Sequence, residues 1–147
     1  MSEREPTPLP GEPAFWTERW RTGETRWDLG KCYPGLDELL AVARRHGLMA
    51  PGAAVLEPGA GRAHTGAELA RRGYVVTAFD LVPAAIGAAR ELYGKLPTLT
   101  LTEADALAIN AAWIGRFAGV FDRAMLCALP REAKLRPVGS RVHCWAV

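Results

Sequence analysis

Leu36, Leu39, Leu40 and Ala43 recur at i, i+3, i+4 and i+7, with Arg44, Arg45 and His46 in the last turn and Gly47 after them. That spacing predicts an amphipathic helix with a stop signal. The pattern then shortens. Ala53 to Glu57 reads as a buried strand, a glycine turn follows, and TGAELARRG reads as a helix ended by Gly73. Tyr74 to Asp80 is a second strand. Pro83 suits the first turn of a further helix through AAIGAARELYG, because its missing N–H would be unpaired there anyway. Leu99 to Glu103 alternates like a third strand, and Phe117 to Asp122 makes a fourth. Strands alternating with helices at this spacing imply right-handed crossovers and a mostly parallel sheet with helices on both faces. The fold class is therefore α/β, Rossmann-like.

Ahead of this alternation, Trp16, Trp20 and Trp27 place three of the five tryptophans within twelve residues, beside Phe15. Trp16 and Trp20, four apart, share a face if helical. Four of the eleven prolines fall in the first thirteen residues, so residues 1–13 are expected to be a flexible tail, with order beginning at Ala14. Composition narrows the class. The 147 residues, 49% hydrophobic and 23% charged, suit one domain over 14–147, and at this length folding buries roughly 68–70% of the extended-chain surface. A net charge of +2 with dispersed basic residues argues against a nucleic-acid partner. The absence of a long apolar run or an apolar leader points to a cytoplasmic chain with no membrane partner. Cys32, Cys127 and Cys144 lack CxxC spacing, so free thiols are expected rather than disulfides or a zinc site.

Chemistry is concentrated in the turn Glu57-Pro58-Gly59-Ala60-Gly61-Arg62-Ala63-His64. Residues without side chains there let a ligand approach backbone N–H groups at a helix start. A dinucleotide fingerprint wants a small residue at 64, where this chain has His64. The S-adenosylmethionine form of the loop, (D/E)xGxGxG, is met by Glu57, Gly59 and Gly61, with Ala63 for the third glycine. An acid at this strand end suits the cationic ammonium of a methionine and would repel a pyrophosphate. Asp80, twenty-three residues on, ends the second strand where a carboxylate can accept ribose hydroxyls, and Asp105 could accept from an adenine amino group. The plainer alternatives are that Asp80 and Asp105 only cap strand ends and that the tryptophans only build core. An N-terminal helix folded over the cofactor would instead set indole faces against a positive sulfur, an attraction of ~0.5–2 kcal/mol.

FWTERWRTGETRWDLG, VLEPGAGRAHTGAELARRGYVVTAFD and FDRAMLCALP, in that order, resemble the thiopurine methyltransferase-like group of class I S-adenosylmethionine-dependent methyltransferases, which includes thiol and halide methyltransferases. The resemblance covers about Ala14 to Pro130. It implies that Trp16, Trp20 and Trp27 contact S-adenosyl-L-methionine, that Gly59 lines its methionine part and that Asp80 holds the ribose. Asp105 and Ala106 would border the adenine, and Asp122 with Arg123 would border a small-molecule methyl acceptor, Arg123 steering an anion. Methyl transfer to a thiol, thiopurine or halide is the implied reaction; it needs no strong general base, and no catalytic constellation or metal site stands out. LRPVGSRVHCWAV resembles the LxPGG turn leading into strand five of that group. The chain is thus expected to be a C-terminally truncated member, incomplete at that end, with strand four or five as an apolar open edge. A catalytically inactive S-adenosylmethionine-binding protein is the alternative, and a nicotinamide-dependent oxidoreductase, disfavoured by Glu57 and His64, is a third.

Overall fold

A computed structural model describes residues 8–129 and 144–146. Its elements in chain order are α1 (Pro13–Thr22), α2 (Leu36–Arg45), β1 (Ala54–Pro58), α3 (His64–Arg71), β2 (Val75–Asp80), α4 (Pro83–Tyr93), β3 (Leu99–Glu103), a 3-10 turn (Ala111–Trp113), β4 (Gly119–Asp122), α5 (Met125–Ala128) and β5 (Cys144–Ala146). The described strands form a parallel sheet in the order β3-β2-β1-β4-β5. Strand order reverses direction between β1 and β4. In open α/β sheets that switch point, at the carboxyl ends of the strands, is where ligands bind.

Buried parallel strands read as apolar runs because both faces are covered, and Val55, Val76, Ala78 and Phe79 are all at most 1% exposed. Leu36, Leu40 and Ala43 of α2 fill one side with Leu69 and Tyr74, the stripe expected from their spacing. Gly47 takes a left-handed φ of 70°, and the Leu48 amide reaches back to the Ala43 carbonyl, closing α2 as its stop signal requires.

The boundaries differ from expectation at several places, β1 running Ala54–Pro58 and β2 starting at Val75 among them. Pro13, assigned to the tail, is the first residue of α1, where proline costs no hydrogen bond; residues 1–7 of that tail lie outside the described residues. Helix α3 starts at His64 rather than Thr65. Strand β4 starts at Gly119 because Gly115 turns the chain at φ 72°, which leaves the Phe117 ring edge-on to Trp113 at 6.4 Å. At the other end β4 pairs with β5, so the edge of the described sheet is β5; the LxPGG-like turn before it lies outside the described residues. Among the described residues no helix is long and apolar enough to cross a membrane.

Candidate functional site

The turn after β1 forms a floor of backbone. Gly59, Gly61 and Ala63 all take left-handed φ values, 60°, 56° and 55°. The alternation folds the amides onto the neighbouring strand: Ala60 N–H donates to the Phe79 carbonyl at 2.9 Å and Gly61 N–H to Asp80 Oδ2 at 2.9 Å. Asp80 Oδ1 accepts from Val82 N–H at 2.9 Å. Burial pushes the Asp80 carboxyl above its ordinary range, against the pull of the Val82, Gly61 and Leu81 amides.

Glu57 lies deeper, 5% exposed, between β1 and α3. A Cβ on Gly66 would come within 2.2 Å of Glu57 Oε2, so only glycine lets the helix cross this close. Oε2 has no hydrogen-bond partner among the described residues. Burial pushes the Glu57 carboxyl up to about 8; the Gly66 amide and the Arg123 charge pull it down less strongly, and the Asp80 charge adds to the rise. A buried polar atom without a partner is costly, and its presence at a strand end marks a place where a donor belongs.

Over the floor stands a roof of rings. Helix α1 has no buried residue, so its aromatic side chains are not packed into the main core. Trp16 meets Trp27 edge-to-face at 5.3 Å, and Phe15 meets Trp16 in the same way at 4.9 Å. Floor and roof enclose a cavity of about 320 Å³. Its walls include Trp16, Trp20 and Trp27 above, Gly59 and Asp80 below, and Asp105 and Ala106 beyond β3. Asp105 Oδ1 also accepts the Leu107 amide at 2.8 Å, closing the turn that aims this segment. A smaller chamber of about 60 Å³ adjoins it, bordered by Glu57, Gly59, Gly61, Trp20 and Trp27. Arg123 borders both spaces, with Nη2 donating to the Trp27 carbonyl.

Asp122 stands apart from the other expected site residues. It is 1% exposed and borders neither space. Its two oxygens accept the Met125 and Leu126 amides at 2.9 and 3.1 Å, which fixes the entry to α5 beyond the left-handed Ala124. The carboxylate expected beside the acceptor is instead a backbone cap. Met125, which that cap positions, is a wall residue that sequence reasoning missed: a Cβ on Gly59 would lie 2.6 Å from its Cγ. Also missed was Asp28, paired with Arg62 and 3.3 Å from His64 Nε2; residues 34 and 36 positions apart leave no periodic signal of their pairing.

Several known proteins resemble this chain in sequence or in fold. A structure solved in work on the conversion of a disulfide bond into a thioacetal group during echinomycin biosynthesis superposes with a TM-score of 0.60 at 31% identity, covering 73% of this chain and 42% of that one. Magnesium protoporphyrin IX methyltransferase from Synechocystis, solved with bound S-adenosylmethionine, superposes with a TM-score of 0.61 at 20% identity, covering 82% and 66%, a likeness of fold. A curated thiopurine S-methyltransferase from Teredinibacter turnerae is 26% identical over 88% of this chain, which spans 65% of that relative's length. The thiopurine S-methyltransferase family model matches residues 11–140, nearly the whole sequence, and with the parallel sheet and the switch-point cavity already described, this chain belongs to the thiopurine S-methyltransferase family.

Proposed function

We propose that this chain binds S-adenosyl-L-methionine in the switch-point cavity and transfers its methyl group to a small soft nucleophile of thiol, thiopurine or halide type. The observation that carries this reading is the buried Glu57, whose Oε2 lacks a hydrogen-bond partner among the described residues, beside Asp80 at the next strand end, both bordering spaces walled by tryptophans. An ammonium placed against Glu57 Oε2 would satisfy it and remove the penalty of an orphaned buried acceptor. Asp80 accepts backbone amides on both oxygens and keeps lone-pair capacity for a ribose hydroxyl. Asp105 and Ala106, past the end of β3, suit an adenine edge, and the three indoles suit a cationic sulfur.

Bound there, the cofactor supplies a methyl carbon already activated by a positively charged sulfur. The protein's part is alignment and exclusion of water, which a floor of fixed amides and a roof of rings can perform. No histidine borders the larger cavity among the described residues. That suits an acceptor arriving already ionised, for which no strong base is needed. Arg123 keeps donors beyond the one spent on Trp27 and gives the cavity a positive charge to steer an anion.

Calorimetric titration of the purified chain with S-adenosylhomocysteine tests the cofactor reading. Saturable micromolar binding that Asp80→Ala weakens by about tenfold or more is expected. A folded chain that binds none overturns it. A screen of thiols and iodide with the methyl donor then separates turnover from the alternative, a binding protein without catalysis.

A further inference from the structure

The roof needs an attachment that burial does not provide. Asp28, one residue past Trp27, has a side chain only 11% exposed and accepts two hydrogen bonds, with an imidazole close by. It accepts the Gly30 amide at 2.7 Å through Oδ1, pairs through Oδ2 with Arg62, and lies 3.3 Å from His64 Nε2. Arg62 and His64 both belong to the floor, in the glycine turn and at the first position of α3. The Arg62 guanidinium also lies over the Trp20 ring, 4.9 Å from its centroid, and Trp20 Cζ2 is 3.7 Å from where a Cβ on Gly61 would sit. His64 is anchored in turn by Tyr93 of α4, whose hydroxyl is 2.6 Å from Nδ1.

We propose that Asp28 is a positioning residue for the cofactor: through Arg62, with His64 packed beside the pair, it latches the tryptophan roof onto the glycine turn, so that the roof is closed when a ligand occupies the floor. The proposal rests on the cofactor reading above for its ligand and on contacts between named residues for its mechanism. Exposed ion pairs contribute little, but here the carboxylate is largely shielded and bonded to both a guanidinium and a backbone amide, the setting in which charged hydrogen bonds count. Burial alone would raise the Asp28 carboxyl; the Gly30 amide, Arg62 and His64 together hold it below its usual range. Asp28 touches no reacting atom, so its loss should act on retention of the cofactor rather than on the chemistry.

The test compares the full chain with Asp28→Asn and, as a second route to the same contact, Arg62→Gln. In the absence of ligand, tryptic cleavage after Arg26 and Lys31 should accelerate about tenfold in both variants, while cleavage after Arg72 and Arg90 and the Tm stay at their parental values. With S-adenosylhomocysteine, the Kd should rise about tenfold, carried by faster dissociation. Parental cleavage in both variants overturns the latch, as does acceleration that tracks a general fall in Tm. If the parent chain binds no S-adenosylhomocysteine, the cofactor reading fails by itself, and the ligand-free cleavage comparison still decides the latch.

Discussion

Floor and roof of the cavity are built by opposite means. The floor is an outgrowth of the sheet: Glu57 and Asp80 sit at the ends of paired strands, and the turn between them is tied down by its own amides. The roof, α1 and the segment through Trp27, contributes no buried residue from its helix and is joined to the rest through side chains such as Asp28, Arg62 and Arg123. Substitutions that disturb the buried packing beneath the floor should therefore cost stability first, and substitutions in the roof or at the contacts that fasten it should cost binding first.

The largest effect that would sharpen this contrast is a pH dependence. The Glu57 carboxyl is pushed in the fold from an ordinary 4.5 to about 8. A raised acid stabilises the fold most below about pH 4.5, and that contribution is lost as pH climbs to about 8. Glu57→Gln should flatten this decline, which amounts to a few kcal/mol over the window, in denaturant titrations at stepped pH. An unchanged slope would mean that the carboxyl is not sealed in. The same displacement makes ligand binding release a proton near neutral pH, because an ammonium beside Glu57 favours its charged form; calorimetry in buffers of different ionisation enthalpy should show it.

Next in size is Gly66→Ala. Alanine gains about 1 kcal/mol of helix propensity, yet its methyl would collide with the buried Glu57 carboxyl, so a net loss of about 1–3 kcal/mol in chemical unfolding is expected. A stabilised variant would show that Glu57 can swing aside. In the roof, Trp20→Ala should weaken S-adenosylhomocysteine by about fivefold and leave the Tm nearly unchanged, the reverse of the floor result. Smallest is Ala124→Gly. This exposed residue holds φ 68°, and glycine there should stabilise the chain by about 0.5–1 kcal/mol, visible as a slightly raised Tm.

The same division explains what the sequence disclosed. Strands β1 to β3, helix α2 and the acids at the ends of β1 and β2 are legible because a buried strand reads as a short apolar run and an amphipathic helix as a 3.6-residue period, with glycines marking where they stop. Asp122 shows a limit of such reading: an acid at a strand end can face the groove or turn back to cap the next helix, as it does here. The choice here depends on the left-handed Ala124, which no propensity for alanine foretells. Asp28 was passed over because its partners Arg62 and His64 are distant in sequence and belong to another element. Folding pairs polar side chains across such distances without leaving a repeat in the chain.

One contact in the floor reaches further than the site. The Ala60 amide is bonded to the Phe79 carbonyl, so a residue in a glycine turn is held as though it were another rung of the β1–β2 ladder. Its deuterium uptake should then be as slow as that of Val76 and Ala78 in the strand beside it, whereas surface turns exchange through local fraying. A turn coupled in this way opens only when the sheet opens, and the platform for a ligand persists for as long as the domain stays folded.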